Sequence, residues 1–222
     1  MRLRGPFTPE RRAIWLQKAS RRVLQALGLG IEVDGRPPAC GLVVANHLSY
    51  LDILILSAAM PCFFVAKKEI DVWPYFGWAA RTGGTIFLDR ASMRSARNVA
   101  GEISERLNLP VPVLLFPEGT STDGARLLRF HSRLIDPATK AGAPITTAAI
   151  RYLARGSVAE RELCWFGGQQ FLPHVWKVMD IEGFSAHVRF GEPRIYANRR
   201  VAAERTHAEI AEWRSAGALV NQ

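Results

Sequence analysis

Two short segments hold residues able to do chemistry together. In Asn46-His47-Leu48-Ser49-Tyr50-Leu51-Asp52 a histidine stands five positions before an aspartate, and in Phe116-Pro117-Glu118-Gly119-Thr120 a carboxylate sits between a proline and a glycine. A histidine that titrates near neutrality, beside a carboxylate able to orient it, is the minimum equipment for taking a proton from an alcohol. In a regular helix five residues turn by about 500°, so His47 and Asp52 would point roughly 140° apart. They meet only if His47 precedes a helix and Asp52 reaches back from its first turn. Ser49 as an N-cap, with Asp52 three residues later, is a capping pattern that provides for this. The same pattern would serve equally to start a buried helix, with His47 filling a turn.

Each segment follows an apolar run, Leu42 to Ala45 and Val113 to Phe116, so both belong at the ends of strands, where α/β folds place their chemistry. Around them the chain alternates. Thr8-Pro9 starts a helix that Gly28 and Gly30 stop, so the first helix runs from Pro9 to Leu27. Ile31 to Val33, Phe63 to Ala66, Thr85 to Leu88, Ile145 to Ile150, Leu163 to Phe166 and His187 to Phe190 read as further strands. Ile53 to Met60 is apolar nearly all round and reads as a buried helix, Met93 to Leu107 and Ala202 to Ala218 as amphipathic ones. Trp73 to Trp78 is aromatic and turn-rich; its aromatics serve either a core or the lining of an apolar tunnel. The expected fold is α/β, a mostly parallel or mixed central sheet with helices on both faces, plus an N-terminal amphipathic helix. Residues 1–37 form that helix and a turn, 38–195 the main domain and 196–222 a closing helix.

With 222 residues, 48% of them hydrophobic, the chain can bury a full core. No stretch approaches the roughly 20 apolar residues of a membrane span, and Met1 to Pro6 lacks the apolar core of a signal peptide. Cys40, Cys62 and Cys164 form no CxxC pair and read as structural thiols of a reducing compartment. The net charge of +9 calls for an anionic partner: nucleic acid, anionic lipid or a phosphorylated substrate. No nucleic-acid-binding motif supports the first. On the first helix Trp15, Leu16, Ala19, Val23, Ala26 and Leu27 share an arc, and Arg11, Lys18, Arg21 and Arg22 another. Such a helix either lies in an anionic membrane interface or packs on its own domain with a solvated basic face.

There is no G-x-S-x-G elbow, so a hydrolase-type nucleophile is missing and the attacking group should be the substrate's own hydroxyl. Direct acyl transfer fits, with backbone N–H groups after a strand stabilising the oxyanion. No phosphate-binding loop and no clustered metal ligands are present; His131, His174, His187 and His207 are scattered and read as surface or core residues.

The ordered motifs resemble those of the glycerolipid acyltransferase family typified by lysophosphatidic acid acyltransferase, over roughly residues 38–195. His-x4-Asp corresponds to His47 and Asp52, which the resemblance makes the catalytic base and its orienting partner. Gly84, Phe87 and Arg90 correspond to a second motif whose arginine helps bind the acceptor head group. Phe116 to Thr120 corresponds to the third, implying acceptor binding and site geometry for Glu118 and Gly119 with Thr120 alongside; Ala143-Pro144-Ile145 is a weak fourth. The resemblance implies fatty acyl transfer from acyl-CoA or acyl-carrier protein to a lysolipid hydroxyl at the cytoplasmic face of a membrane, in phospholipid biosynthesis, with no metal or resident cofactor. The third motif departs from the family's lysophosphatidic acid enzymes, because Ser121-Thr122-Asp123-Gly124 replaces the usual Arg-Ser. That pattern resembles relatives acylating lyso-ornithine lipid or other lysophospholipids. Arg126, Arg129, Arg133 or Lys67 would have to supply the missing charge. A non-catalytic lipid-binding protein is the remaining alternative, against which the intact motifs speak.

Overall fold

A computed structural model describes residues 7–73, 76–89, 93–154 and 158–216, with side chains of the helix beginning at Met93 described from Asn98 onward. Among these, seven strands, β1 (Gly30–Asp34), β2 (Leu42–Ala45), β3 (Phe63–Lys67), β4 (Ile86–Leu88), β5 (Val113–Leu115), β6 (Ile145–Ala154) and β7 (Phe184–Phe190), form one sheet in the order β1-β7-β6-β2-β5-β3-β4. Every neighbouring pair is parallel except β6–β7. β2 lies at the centre with all four residues buried, which is why it reads as an unbroken apolar run.

Helices α1 (Pro9–Ala26), α2 (Leu51–Ala59), α3 (Phe76–Gly83), α4 (Met93–Leu107), α5 (Asp136–Lys140), α6 (Phe171–Met179) and α7 (Arg199–Ala216) cover the sheet. The pleat divides the core in two. Val43, Ala45 and Leu114 join Leu16, Ile55 and Val178 on the side of α1, α2 and α6. Leu42, Val44, Val113 and Leu115 join Ile103, Ala138 and Ile210 on the side of α4, α5 and α7. The expected α/β architecture with two covered faces is the one observed.

Three local expectations are corrected. Leu163 to Phe166 is not a strand: Glu160–Leu163 is a 3-10 turn, and Trp165 N–H donates to Leu48 O at 2.9 Å in the loop that follows. Both edges of β6 are already taken by β2 and β7, so this segment has no sheet partner there. The aromatic stretch from Trp73 enters a helix, α3, at Phe76; Gly77 lies so close to Asp71 O that a Cβ there would sit 2.1 Å from it. α1 begins as expected, with Thr8 Oγ1 accepting Arg11 N–H at 3.4 Å, but its buried stripe is Ala13, Leu16, Ser20 and Leu24 rather than the arc through Val23 and Leu27, which are exposed. α1 packs this stripe on α2 and α3. Gly83 permits the approach, since Leu16 Cδ2 lies only 2.8 Å from where a Cβ would stand. Arg21 helps fix it by donating to Ala58 O at 2.8 Å.

Candidate active site

β2 and β5 are parallel neighbours, so the residues after them emerge at one edge of the sheet. There Glu118, only 4% exposed, accepts His47 N–H on Oε1 at 2.8 Å and Leu128 N–H on Oε2 at 2.9 Å. Thr122 N–H returns the link by donating to His47 O at 3.0 Å. The two motifs are therefore stitched into one unit. Burial pushes the Glu118 carboxyl above its ordinary value, and the two amide donors oppose the shift.

His47 Nδ1 lies 2.7 Å from Asp52 Oδ2. A carboxylate there only accepts, so Nδ1 carries the proton and Nε2 is the ring's basic nitrogen. Asp52 is fully buried, and Oδ2 also accepts the N–H groups of Leu48 at 2.7 Å and Ser49 at 3.1 Å. Asp52 does reach back from the first turn of a helix, but the expected cap is corrected. Tyr50 is the N-cap residue, no side chain caps the helix, and the buried Ser49 hydroxyl has no protein partner. By accepting the Ser49 N–H the aspartate supplies the carboxylate half of the expected capping pattern, and only the hydroxyl half is missing. The imidazole is held from the other side by Phe116, stacked at 4.1 Å between ring centroids with 14° between the planes.

Sequence reasoning missed Tyr152 on β6, whose hydroxyl donates to Asp52 Oδ1. Burial and the adjacent Asp52 charge push its pKa well up, so it stays a donor. A tyrosine in a strand that pairs on both edges is the signal that could have found it, because a buried phenol needs a partner. Asn46 was also passed over: it donates to Ile150 O at 3.2 Å and accepts Ile150 N–H at 2.8 Å, carrying the β2–β6 pairing one step beyond the strand. Arg214, on α7, donates to Ile150 O at 2.6 Å, Gly124 O at 2.7 Å and Glu160 Oε2 at 2.9 Å, while Glu160 Oε1 accepts Tyr152 N–H at 2.9 Å. One guanidinium thus ties β6 to the loop after Glu118.

His47 lines a cavity of about 420 Å3 walled by Tyr50, Phe64, Trp73, Phe116 and Trp165 among others, a size and polarity suited to an apolar ligand. Gly119, Thr120, Ser121 and Lys67 are also in its wall. Gly119 has φ +75°, a conformation that disfavours other residues at this turn. Of the charges considered for the head group, Lys67 lines this cavity; Arg126, Arg129 and Arg133 are not part of its wall. Leu88 contributes to it where its neighbour Phe87 does not. Gly84, at φ +81°, instead packs beside Phe63 and Arg106, and Arg90 lies outside the described residues. The expected supply of oxyanion donors after the strands is also revised. The amides of His47, Leu48 and Ser49 are engaged by Glu118 and Asp52, and that of Gly119 by Phe116 O at 3.1 Å. Burial raises the thiols of Cys62 and Cys164, which makes neither a nucleophile. Among the described residues no cluster of metal-ligating side chains occurs and no helix is long and apolar enough to cross a membrane.

A family model described as Acyltransferase matches residues 32–151, which run from within β1 to within β6 and include both motifs. The chain belongs to the acyltransferase family. Among curated members it is 36% identical over 173 residues to a lyso-ornithine lipid O-acyltransferase of Pseudomonas aeruginosa, covering 78% of this chain and 66% of that one. It is 40% identical over 148 residues to a 1-acyl-sn-glycerol-3-phosphate acyltransferase of Neisseria meningitidis, covering 65% and 58%. The chain thus spans less than two thirds of the length of these acyltransferases. The crystal structure of the 1-acyl-sn-glycerophosphate acyltransferase PlsC from Thermotoga maritima superposes with a TM-score of 0.70 at 20% identity, over 95% of this chain and 80% of that one, and shares the fold.

Beside the cavity, His174 is 5% exposed; its Nε2 donates to Cys164 O at 3.0 Å, so Nδ1 accepts the Tyr50 hydroxyl at 3.2 Å. Burial pushes the Tyr50 phenol up to about 12 and holds His174 below its ordinary 6.5. The folded state then binds this proton less readily than the unfolded chain. Stability present above pH 6.5 should be lost as pH falls from there toward the depressed folded value. Thermal melts of wild type and His174→Gln across that range should diverge, wild type losing more; parallel curves would show that His174 carries no such linkage.

Proposed function

We propose that this protein transfers a fatty acyl chain from a thioester, acyl-CoA or acyl-carrier protein, to the free hydroxyl of a lysolipid at the cytoplasmic face of a membrane. The observation that carries the reading is the His47–Asp52 pair at 2.7 Å in the wall of an aromatic cavity, within a family of acyltransferases. His47 Nε2 takes the proton as the hydroxyl oxygen attacks the thioester carbonyl carbon. The C–S bond then breaks, and the proton passes from His47 to the departing thiolate. Asp52 holds the tautomer and stabilises the imidazolium. Glu118 positions the His47 backbone, while Gly119, Thr120 and Lys67 border the acceptor. The thioester carries its own activation, so the reaction calls for no metal or resident cofactor.

A 1-acylglycerol-3-phosphate type acceptor is the first reading. Lyso-ornithine lipid is the second, favoured by the Pseudomonas relative and by Ser121-Thr122 where an arginine would clamp phosphate. Thiol release from a long-chain acyl-CoA, followed with lysophosphatidic acid, lyso-ornithine lipid, lysophosphatidylcholine or no acceptor, separates them. Release dependent on one lysolipid names the acceptor. Release without any would identify a thioesterase and reject the proposal.

Tyr152→Phe tests the support behind Asp52. Loss of one buried donor to a carboxylate should cost about 1.5–3 kcal/mol of stability. Turnover should fall by about tenfold or less, since His47 keeps its partner. A variant with wild-type melting and turnover would show that the phenol contributes nothing.

A further inference from the structure

α6 carries two apolar stripes. Phe171, His174 and Val178 turn toward the domain, the last two buried. Leu172, Trp176 and Met179, at i, i+4 and i+7, form a second stripe that is 66%, 68% and 59% exposed. Scattered apolar residues on a surface are ordinary, but contiguous ones mark an interaction site. The inward stripe of the same helix links it to α3 by ring contacts. Phe171 packs on Trp73 at 5.4 Å and on Phe76 at 5.1 Å, both of which line the cavity. Two residues beyond Phe76, Trp78 is 58% exposed and meets Trp15 of α1 edge-on at 5.4 Å. Trp15 shares its side of α1 with the exposed Lys18 and Arg22, at i+3 and i+7.

We propose that this rim, from α6 across α3 to the basic side of α1, docks the protein on an anionic phospholipid bilayer. Trp78, Leu172 and Trp176 enter the interfacial layer, and Lys18 and Arg22 meet the headgroups. Two observations select a bilayer over a second copy of the chain. A chain of net charge +9 that carries cations along its apolar rim repels its own copy and attracts an anionic surface. The apolar line also crosses the lining of the cavity at Trp73 and Phe76, so a lipid can pass from the bilayer into the cavity without crossing water. Tryptophan, with an apolar ring and a polar N–H, is suited to that interface. The inference rests on the proposed lipid chemistry for what enters the cavity. The docking surface itself is tested without turnover.

Full-length wild type, Leu172→Ser/Trp176→Ser and Lys18→Glu/Arg22→Glu would be sedimented with vesicles of phosphatidylethanolamine and phosphatidylglycerol. In parallel, turnover would be measured on detergent-dispersed lysolipid. Removal of the two apolar side chains should lower vesicle affinity by about tenfold or more. Charge reversal should weaken binding to anionic vesicles, and added salt should reproduce the loss. Detergent turnover should stay within about twofold of wild type, because none of the four residues lines the cavity. Brominated phospholipid should quench wild-type tryptophan fluorescence more than that of Trp176→Phe, which reports Trp176 depth directly. Unchanged vesicle binding or unchanged quenching would overturn the proposal, as would light scattering that shows Trp176→Ser dissociating a dimer. Wild type inactive in detergent would reject acyl transfer and leave the vesicle result readable.

Discussion

His47→Ala should lower turnover by about 10²- to 10⁴-fold while the protein still folds. Among the described residues the imidazole is the only ring in the site whose proton-bearing nitrogen is fixed by a buried carboxylate, at 2.7 Å, and whose other nitrogen remains basic. Its removal leaves Asp52 with the amides of Leu48 and Ser49 and the hydroxyl of Tyr152, so the buried charge is not orphaned. The thermal midpoint should therefore move by only a few degrees, on the order of 1 kcal/mol. Thiol release and melting measured on the same preparation check both halves. Turnover within about tenfold of wild type would remove His47 from the role of base.

Asp52→Asn should be as damaging to catalysis, by about 10³- to 10⁴-fold, for a different reason. An asparagine can keep its carbonyl oxygen toward His47, Leu48 and Ser49 and turn its amide toward Tyr152, whose hydroxyl can accept as well as donate. Hydrogen bonding is then preserved in kind. What disappears is the negative charge that stabilises the imidazolium formed when His47 takes a proton. Loss of turnover with a modest drop in melting temperature is the expected result. Retained turnover with a large loss of stability would mean that Asp52 serves only to start α2.

Residues close in sequence or placed at strand ends were legible, as His47 and Glu118 were, and other contacts made by the fold were not. His47 and Asp52 lie on either side of a helix start, so their meeting followed from helix geometry. Met93–Leu107 had period and length, and its helix has the expected bounds. α6 was missed because Pro173 stands in its first turn and the helix has only 9 residues, too few for its apolar residues to show a repeat. Those same residues make its exposed stripe. Tyr152 reaches Asp52 across 100 positions and Arg214 reaches Gly124 across 90, separations at which spacing carries no information. The basic arc of α1 was read correctly as exposed, but its apolar arc was displaced because small residues, Ala13 and Ser20, let α1 approach its neighbours closely.

Arg214 also bears on how the protein comes into being. A ribosome makes Asp52, Glu118 and Tyr152 long before it reaches residue 214, yet the cation that joins Glu160 to the Gly124 loop is the last of these groups to emerge. Until residue 214 emerges, the wall around the base and its carboxylate lacks this fastening. The growing chain therefore completes its reactive centre only after residue 214 has emerged, when all seven strands of the sheet that supports it have already been made.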